Sequence, residues 1–328
     1  MAKRSLTLTQ SDQSERFSHI SVLLKESIEG LHIKPDGIYV DCTLGGGGHA
    51  RRIAEALTND GRLIAIDRDA DAIRAAHQTL ADYEDRVTYA HCNYARVDEV
   101  LKENGIAGID GAIMDLGVSS FQLDTPERGF SYRYDAPLDM RMDQRADLTA
   151  KDVVNTYSYE ELRSVLHDWG EERFAASIAA RIVSERQKHP IVSTGQLSEL
   201  VKEAIPPKAR NAGGHPAKRT FQALRIEVNR ELDTIAPTLN CLIDALNPHG
   251  RLCVITFHSL EDRIVKQTFQ QAAQGCTCPP DFPVCVCGKK PKIDILTRKP
   301  VIPSKEELEV NNRAHSAKLR IIEKRDTN

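Results

Sequence analysis

Short apolar runs and helical stretches alternate through the first third of the chain. Ile38–Cys42, Arg62–Asp67, Val87–Cys92 and Ile109–Asp115 are mainly apolar segments bounded by polar or glycine-rich turns. His49–Leu57, Asp69–Leu80 and a stretch closing near Lys102 carry helical spacing between them. Apolar strands separated by helices of about ten residues predict βαβ units and a parallel sheet with helices on both faces. The rhythm stops near Thr125. From there to Gly214 no strand pattern stands out, and the helical patterns Ser158–His167, Arg173–Gln187 and Gly195–Ala204 lie between turn signals such as His189-Pro190 and Pro206-Pro207. Strand character returns at Gly250–Phe257 and Ala317–Glu323, after a long helical stretch, Pro216–Leu246, expected to break near Pro237.

The expected fold class is therefore α/β, a doubly wound sheet interrupted by an all-helical insert. Residues 1–18 read as a mobile tail, 19–124 and 215–328 as the two parts of the sheet domain, and 125–214 as the insert that recognises substrate. The tail has Lys3-Arg4 but no apolar segment after it, so neither a signal peptide nor a membrane anchor is expected. No apolar run approaches the roughly 20 residues that cross a bilayer. The expected location is the cytoplasm, where the eight cysteines should be thiols or metal ligands rather than disulfides.

Charge changes the picture only when resolved along the chain. The net charge of −3 gives no hint of a polyanionic partner. Yet Lys208, Arg210, Lys218, Arg219, Arg225 and Arg230 face one acid, Glu227, within a single segment, and the stretch from Gly288 onward is also net basic. These are two candidate surfaces for a phosphate backbone, against the plainer reading of solvated faces.

Four glycines, Gly45 to Gly48, follow the first strand and open a helix. Open α/β sheets bind ligands at that carboxyl edge, and a glycine run lets a ligand approach the backbone closely. Asp67 ends the second strand about twenty residues later, where an acid commonly accepts from ribose hydroxyls. Gly45-x-Gly47-x-x-Ala50 also fits a dinucleotide fingerprint, which keeps an NAD(P)-dependent oxidoreductase open. Asp41 before the glycines suits a ligand with a cationic amino-acid end, and Asp115 at the end of the fourth strand favours a methyltransferase. Phe121, Phe130 and Tyr132, just beyond, are candidates for stacking a base, or else core residues under a loop. In Thr256–Arg263, Ser259 and Asp262 read as a helix cap, which leaves His258 and Arg263 unexplained. Cys276-x-Cys278-x6-Cys285-x-Cys287 can furnish a tetrahedral zinc site or remain as reduced thiols, so no residue is assigned to a metal.

Five long motifs carry a family resemblance. They are Asp41–His49, Asp115–Asp124, Arg128–Ser131, His215–Asn229 and Ile255–Val265, in consistent order from about His19 to Lys324. Together they resemble the RsmH (MraW) family, bacterial enzymes that methylate the N4 amine of a cytidine in the decoding region of 16S ribosomal RNA. The resemblance implies a class I, Rossmann-like methyltransferase domain and S-adenosyl-L-methionine as cofactor. It implies 16S ribosomal RNA in the small subunit as partner, and cofactor contacts at Gly47, Gly48, His49, Asp67, Tyr94, Asp115 and Gln122. Asp115 is also the expected catalytic acceptor for the amine. An RNA-binding factor that keeps the cofactor fold without activity is the other alternative.

Overall fold

The computed structural model describes residues 21–58, 60–210, 214–276, 278 and 287–326. The expected tail, 1–18, lies outside them. The chain divides into two compact units, one from residues up to Leu116 and from Ile235 onward, the other from Gly117 to Thr234.

The first unit is a seven-stranded sheet in the order β3-β2-β1-β4-β5-β7-β6. Its strands are β1 (Ile38–Asp41), β2 (Arg62–Asp67), β3 (Val87–His91), β4 (Ile109–Asp115), β5 (Leu246–Thr256), β6 (Ile293–Ile295) and β7 (Lys318–Lys324). The first five are parallel, β7 runs antiparallel to β5, and β6 antiparallel to β7. That reversed strand departs from the 3-2-1-4-5-6 order of dinucleotide-binding domains. The helices are α1 (Leu24–Leu31), α2 (Gly48–Ala56), α3 (Ala70–Thr79), α4 (Val97–Glu103), and later α11 (Ile235–Ala245), α12 (Ser259–Ala273) and α13 (Lys305–Val310). Tyr39, Leu63, Ile113, Ile255 and Leu319 belong to one buried cluster, with no side chain more than a trace exposed. Burying each such side chain stabilises by about 1.5–3 kcal/mol, which is why these apolar runs become central strands.

The second unit is helical, with α5 (Ser120–Asp124), α6 (Ala150–Thr156), α7 (Tyr159–Asp168), α8 (Ala175–Arg186), α9 (Thr194–Ala204) and α10 (Lys218–Asn229). Capping boxes start four of them, at Ser119 with Gln122, Thr149 with Asp152, Ser158 with Glu161, and Ser193 with Gln196. Each satisfies two otherwise orphaned backbone donors. Leu162, Ile178, Leu197, Phe221 and Leu224 share the core of this unit. The irregular segment between α5 and α6 is tied down by buried polar groups. Asn229 accepts from the Met142 amide at 2.7 Å and donates to the Met140 carbonyl at 2.7 Å.

Two expectations need correcting. The helical unit is wider than 125–214 because α10 packs its Phe221, Leu224 and Val228 into that unit's core. The long helix breaks at Arg230, which caps α10 in a left-handed conformation with φ 47°, and Pro237 lies inside α11. A proline in the first turn lacks only an N–H that would have no helical partner there, so it does not end the helix.

Candidate active site

Because β1, β2 and β4 are parallel neighbours, their carboxyl ends bring Asp41, Asp67 and Asp115 to one edge of the sheet. The chain leaving β1 is laid across that edge by hydrogen bonds. Cys42 N donates to Ile113 O at 2.9 Å and Leu44 N to Ile66 O at 3.0 Å. Gly45 N donates to Asp67 Oδ2 at 2.8 Å. Thr43 couples two of the acids, since its N–H donates to Asp41 Oδ1 at 3.0 Å and its Oγ1 accepts from Asp115 N at 2.6 Å.

Two glycines of the run stand where a side chain would be costly or would have to displace a neighbour. Gly47 is the N-cap of α2 at φ 81°, a conformation that a side chain strains. At Gly48 a Cβ would stand 1.9 Å from Ser21 Oγ, which is impossible without displacing it. Among the described residues no side chain caps α2. Its first-turn amides are therefore suited to an anionic group, helped by the positive end of the helix dipole.

The acids beside this helix end are in an unusual state. Burial first, and then the negative charge of Asp67, push the Asp41 carboxyl up to about 7, against the lowering effect of the Thr43 amide. Burial, followed by Asp41 and Glu261, holds Asp115 well above the usual carboxylate range. Among the described residues, the buried Asp41 Oδ2 and Asp115 Oδ1 have no hydrogen-bond partner. Asp115 is not sealed, since 21% of its side chain is exposed. Among the described residues neither acid makes a salt bridge to lysine or arginine; the imidazole Nδ1 of His49 is 3.9 Å from Asp115 Oδ2. Buried carboxylates without a cation are costly, so the cluster is matched to a positively charged ligand.

His49 is buried, and its Nε2 donates to Val22 O at 3.2 Å. Asp67 is also raised by burial, although its carboxylate accepts from the Gly45 and Asp69 amides at 2.8 and 2.9 Å. His91 of β3 pairs with Asp67 across the sheet, and Tyr94 follows three residues later in a 3₁₀ turn, nearly buried. Gly47, Gly48, His49, Asp67, Tyr94 and Asp115 thus all lie in the first unit, at or just beyond the carboxyl ends of neighbouring strands. Gln122 lies in the second unit, where its side chain completes the capping box of α5, accepting from Ser119 N at 3.0 Å.

Sequence reasoning missed Glu261. It is buried, and its carboxylate accepts from the Phe257 and His258 amides at 2.8 and 3.2 Å. The cap of α12 is His258 with Glu261, not Ser259 with Asp262, and Asp262 instead holds Arg320 at 2.7 Å. The signal was an acid three residues after His258, which fits a cap one residue earlier than Ser259. Phe130 is buried in the core of the second unit and is thereby withdrawn as a base stacker. Tyr132 stacks on His215 with centroids 4.2 Å apart and meets Phe221 edge-on at 5.6 Å. Among the basic residues, Arg225 is committed to Glu231 at 2.8 and 2.9 Å, while Arg210 and Arg219 each donate to a backbone carbonyl. Glu227 serves Tyr157 and Trp169 instead, at 2.9 and 2.8 Å. Lys208, Lys218 and Arg230 are exposed.

The acid cluster sets a pH-dependent stability. Asp41 binds its proton more tightly in the folded chain, near 7, than in the unfolded chain, near 3.9. The folded state holds more protons in that window, so stability falls as pH rises through it. Asp41→Asn keeps an oxygen for the Thr43 amide and removes the charge. The ligand-free variant is expected to melt above the parent at pH 8, by up to a few kcal/mol of stability, with the gap closing near pH 4. Equal melting temperatures at pH 8 would show that the fold does not raise the Asp41 carboxyl.

A family model, the MraW methylase family, matches residues 16–325. The small-subunit ribosomal RNA methyltransferase H 2 of Agathobacter rectalis is 59% identical over 311 residues, covering 94% of this chain and 99% of that protein. The methyltransferase H proteins of Lachnospira eligens and Brevibacillus brevis are 58% and 56% identical over 308 residues, each covering 94% of this chain and 98% of its own length.

Proposed function

The chain belongs to the MraW methylase family, S-adenosyl-L-methionine-dependent ribosomal RNA methyltransferases, and on that premise we propose that it methylates the N4 amine of a cytidine in the decoding region of 16S ribosomal RNA, in the cytoplasm. One observation carries the cofactor half of this reading: Asp41 is buried and Asp115 largely so, the charge of Asp41 presses on Asp115, and among the described residues each has a carboxylate oxygen without a hydrogen-bond partner beside the start of α2. S-adenosyl-L-methionine fits both halves of that site. Its ammonium and sulfonium charges would answer the acids, and its carboxylate would answer the amides of Gly48 and His49, the Gly47 amide being used by Leu44 O at 2.8 Å. Asp67 would take the ribose hydroxyls, and Tyr94 the adenine.

When bound, the cofactor supplies an electrophilic methyl group on sulfur. The chain's own residues align the acceptor and hold its amine, because an in-line displacement depends chiefly on position. The N4 lone pair of cytosine is delocalised into the ring, and Asp115, whose side chain is 21% exposed, would accept from the amine and localise that pair. The surplus proton leaves to water, so no strong base is needed. The family and the reversed β7 leave the oxidoreductase alternative without support, and turnover would dispose of the inactive-factor alternative. Small subunits lacking the modification, incubated with enzyme and S-adenosyl-L-methionine, are expected to gain one methyl on a decoding-region cytidine by mass mapping. Methylation elsewhere, or none, would overturn the assignment.

The second unit would grip the RNA backbone. Arg225 is used internally, so the exposed lysines are the better test. Lys208→Gln with Lys218→Gln is expected to weaken RNA binding and to reduce the slope of log affinity against log salt by about 0.7 for each phosphate no longer neutralised. Cofactor affinity should not move. An unchanged slope would place the RNA elsewhere, with the basic C-terminal stretch the next candidate.

A further inference from the structure

Between α12 and β6 the chain makes an excursion whose two ends are held together. Lys292 N donates to Ala272 O at 2.9 Å, and Gly275 packs within contact distance of Pro291. Inside these ends the sulfurs of Cys276, Cys278 and Cys287 all lie within 4.8 Å of one another. Cys276 and Cys287 Sγ are 3.6 Å apart, and Cys276 Sγ accepts from Cys278 N at 3.4 Å.

A disulfide requires about 2.05 Å between sulfurs, so the Cys276–Cys287 separation is too long for one. Four thiolates at about 2.3 Å from one zinc ion stand about 3.8 Å apart, the edge of the tetrahedron, and the observed separation is close to that edge. Thiolates crowded this closely repel one another unless a cation lies between them, and soft sulfur donors select zinc over hard cations. The sequence between Cys276 and Cys287 has three prolines, which lack the backbone donor that helices and sheets use, and a bound ion can staple such a segment.

We infer that Cys276, Cys278 and Cys287 bind a structural zinc ion that closes this loop. The three thiolates occupy three of the ion's four positions and leave one for a further donor. Cys285 repeats the spacing to Cys287 that Cys276 has to Cys278, but lies outside the described residues. Binding releases a proton from each thiol and involves no change of oxidation state.

The full chain, purified under reductant with zinc present and then dialysed, is expected to retain about one zinc per chain by elemental analysis. Cys276→Ser with Cys287→Ser is expected to lose it while binding S-adenosyl-L-methionine as the parent does. Should that variant fail to fold, the unaltered chain loaded with cobalt(II) supplies the second reading. Intense sulfur-to-cobalt absorption in the near ultraviolet, with visible bands of tetrahedral cobalt, is expected. Substoichiometric zinc in the parent, zinc retained by the folded variant, or cobalt spectra without sulfur ligation would each overturn the site.

Discussion

Asp115→Asn is expected to lower turnover about a hundred- to a thousandfold at saturating S-adenosyl-L-methionine, with RNA affinity nearly unchanged. The magnitude is that of removing one polar group aimed at charge that develops in a transition state. Asparagine keeps the shape and one acceptor oxygen but removes the negative charge, and its NH₂ end puts a donor where the amine needs an acceptor. Asp115 also belongs to the acid cluster proposed to receive the cofactor, so two roles must be separated. If it only neutralises the cofactor's charge, excess cofactor restores the rate. If it also polarises the amine, the defect persists at saturation. Full recovery of turnover with excess cofactor, read from steady-state kinetics, would remove Asp115 from the chemistry and leave it a binding residue.

Asp67→Ala is expected to weaken S-adenosyl-L-methionine by roughly a hundred- to ten-thousandfold. On the proposed reading two charge-assisted hydrogen bonds to ribose hydroxyls would disappear, each worth about 1.5–3 kcal/mol. The same carboxylate accepts from Gly45 N and Asp69 N, so part of any effect comes from slackening the loop that leaves β1. A deoxyribose analogue of the cofactor separates the two contributions in a double-mutant cycle. The parent should discriminate strongly against the analogue and the variant hardly at all. Equal discrimination by both, measured by calorimetry, would mean that the ribose lies elsewhere.

The sheet was legible because burial on both faces leaves a strong mark: Ile109–Asp115 and Arg62–Asp67 are predicted and observed over the same residues. The three residues of β6, Ile293–Ile295, carry too little pattern to be read, since their place depends on pairing with β7. The break at Arg230 was invisible for a related reason. A left-handed arginine has no compositional signature, whereas Pro237 has one that tertiary context made harmless. At the site, the residue types of Asp41, Asp67 and Asp115 were readable from their strand ends. Their shared burial was not, because it arises from strands adjacent in space rather than in sequence. Glu261 escaped because a capping acid and an acid that presses on Asp115 look alike in one dimension.

The helical unit enters the chain immediately after β4, yet Leu116 N still bonds to Ile255 O of the strand that resumes on its far side. Closing a flexible loop of roughly 120 residues is entropically unfavourable, though the penalty grows only logarithmically with length. An inserted segment with its own core and capped helices escapes much of that penalty by becoming compact before the gap is bridged. The order of assembly follows. During synthesis β1 to β4 emerge first as an open half-sheet whose β4 edge has no partner until β5 is made. The insert has time to collapse in the interval, and β5 then completes the sheet. A substitution that slows collapse of the insert would thus show itself as aggregation through the waiting β4 edge, with the residues of the cofactor site untouched.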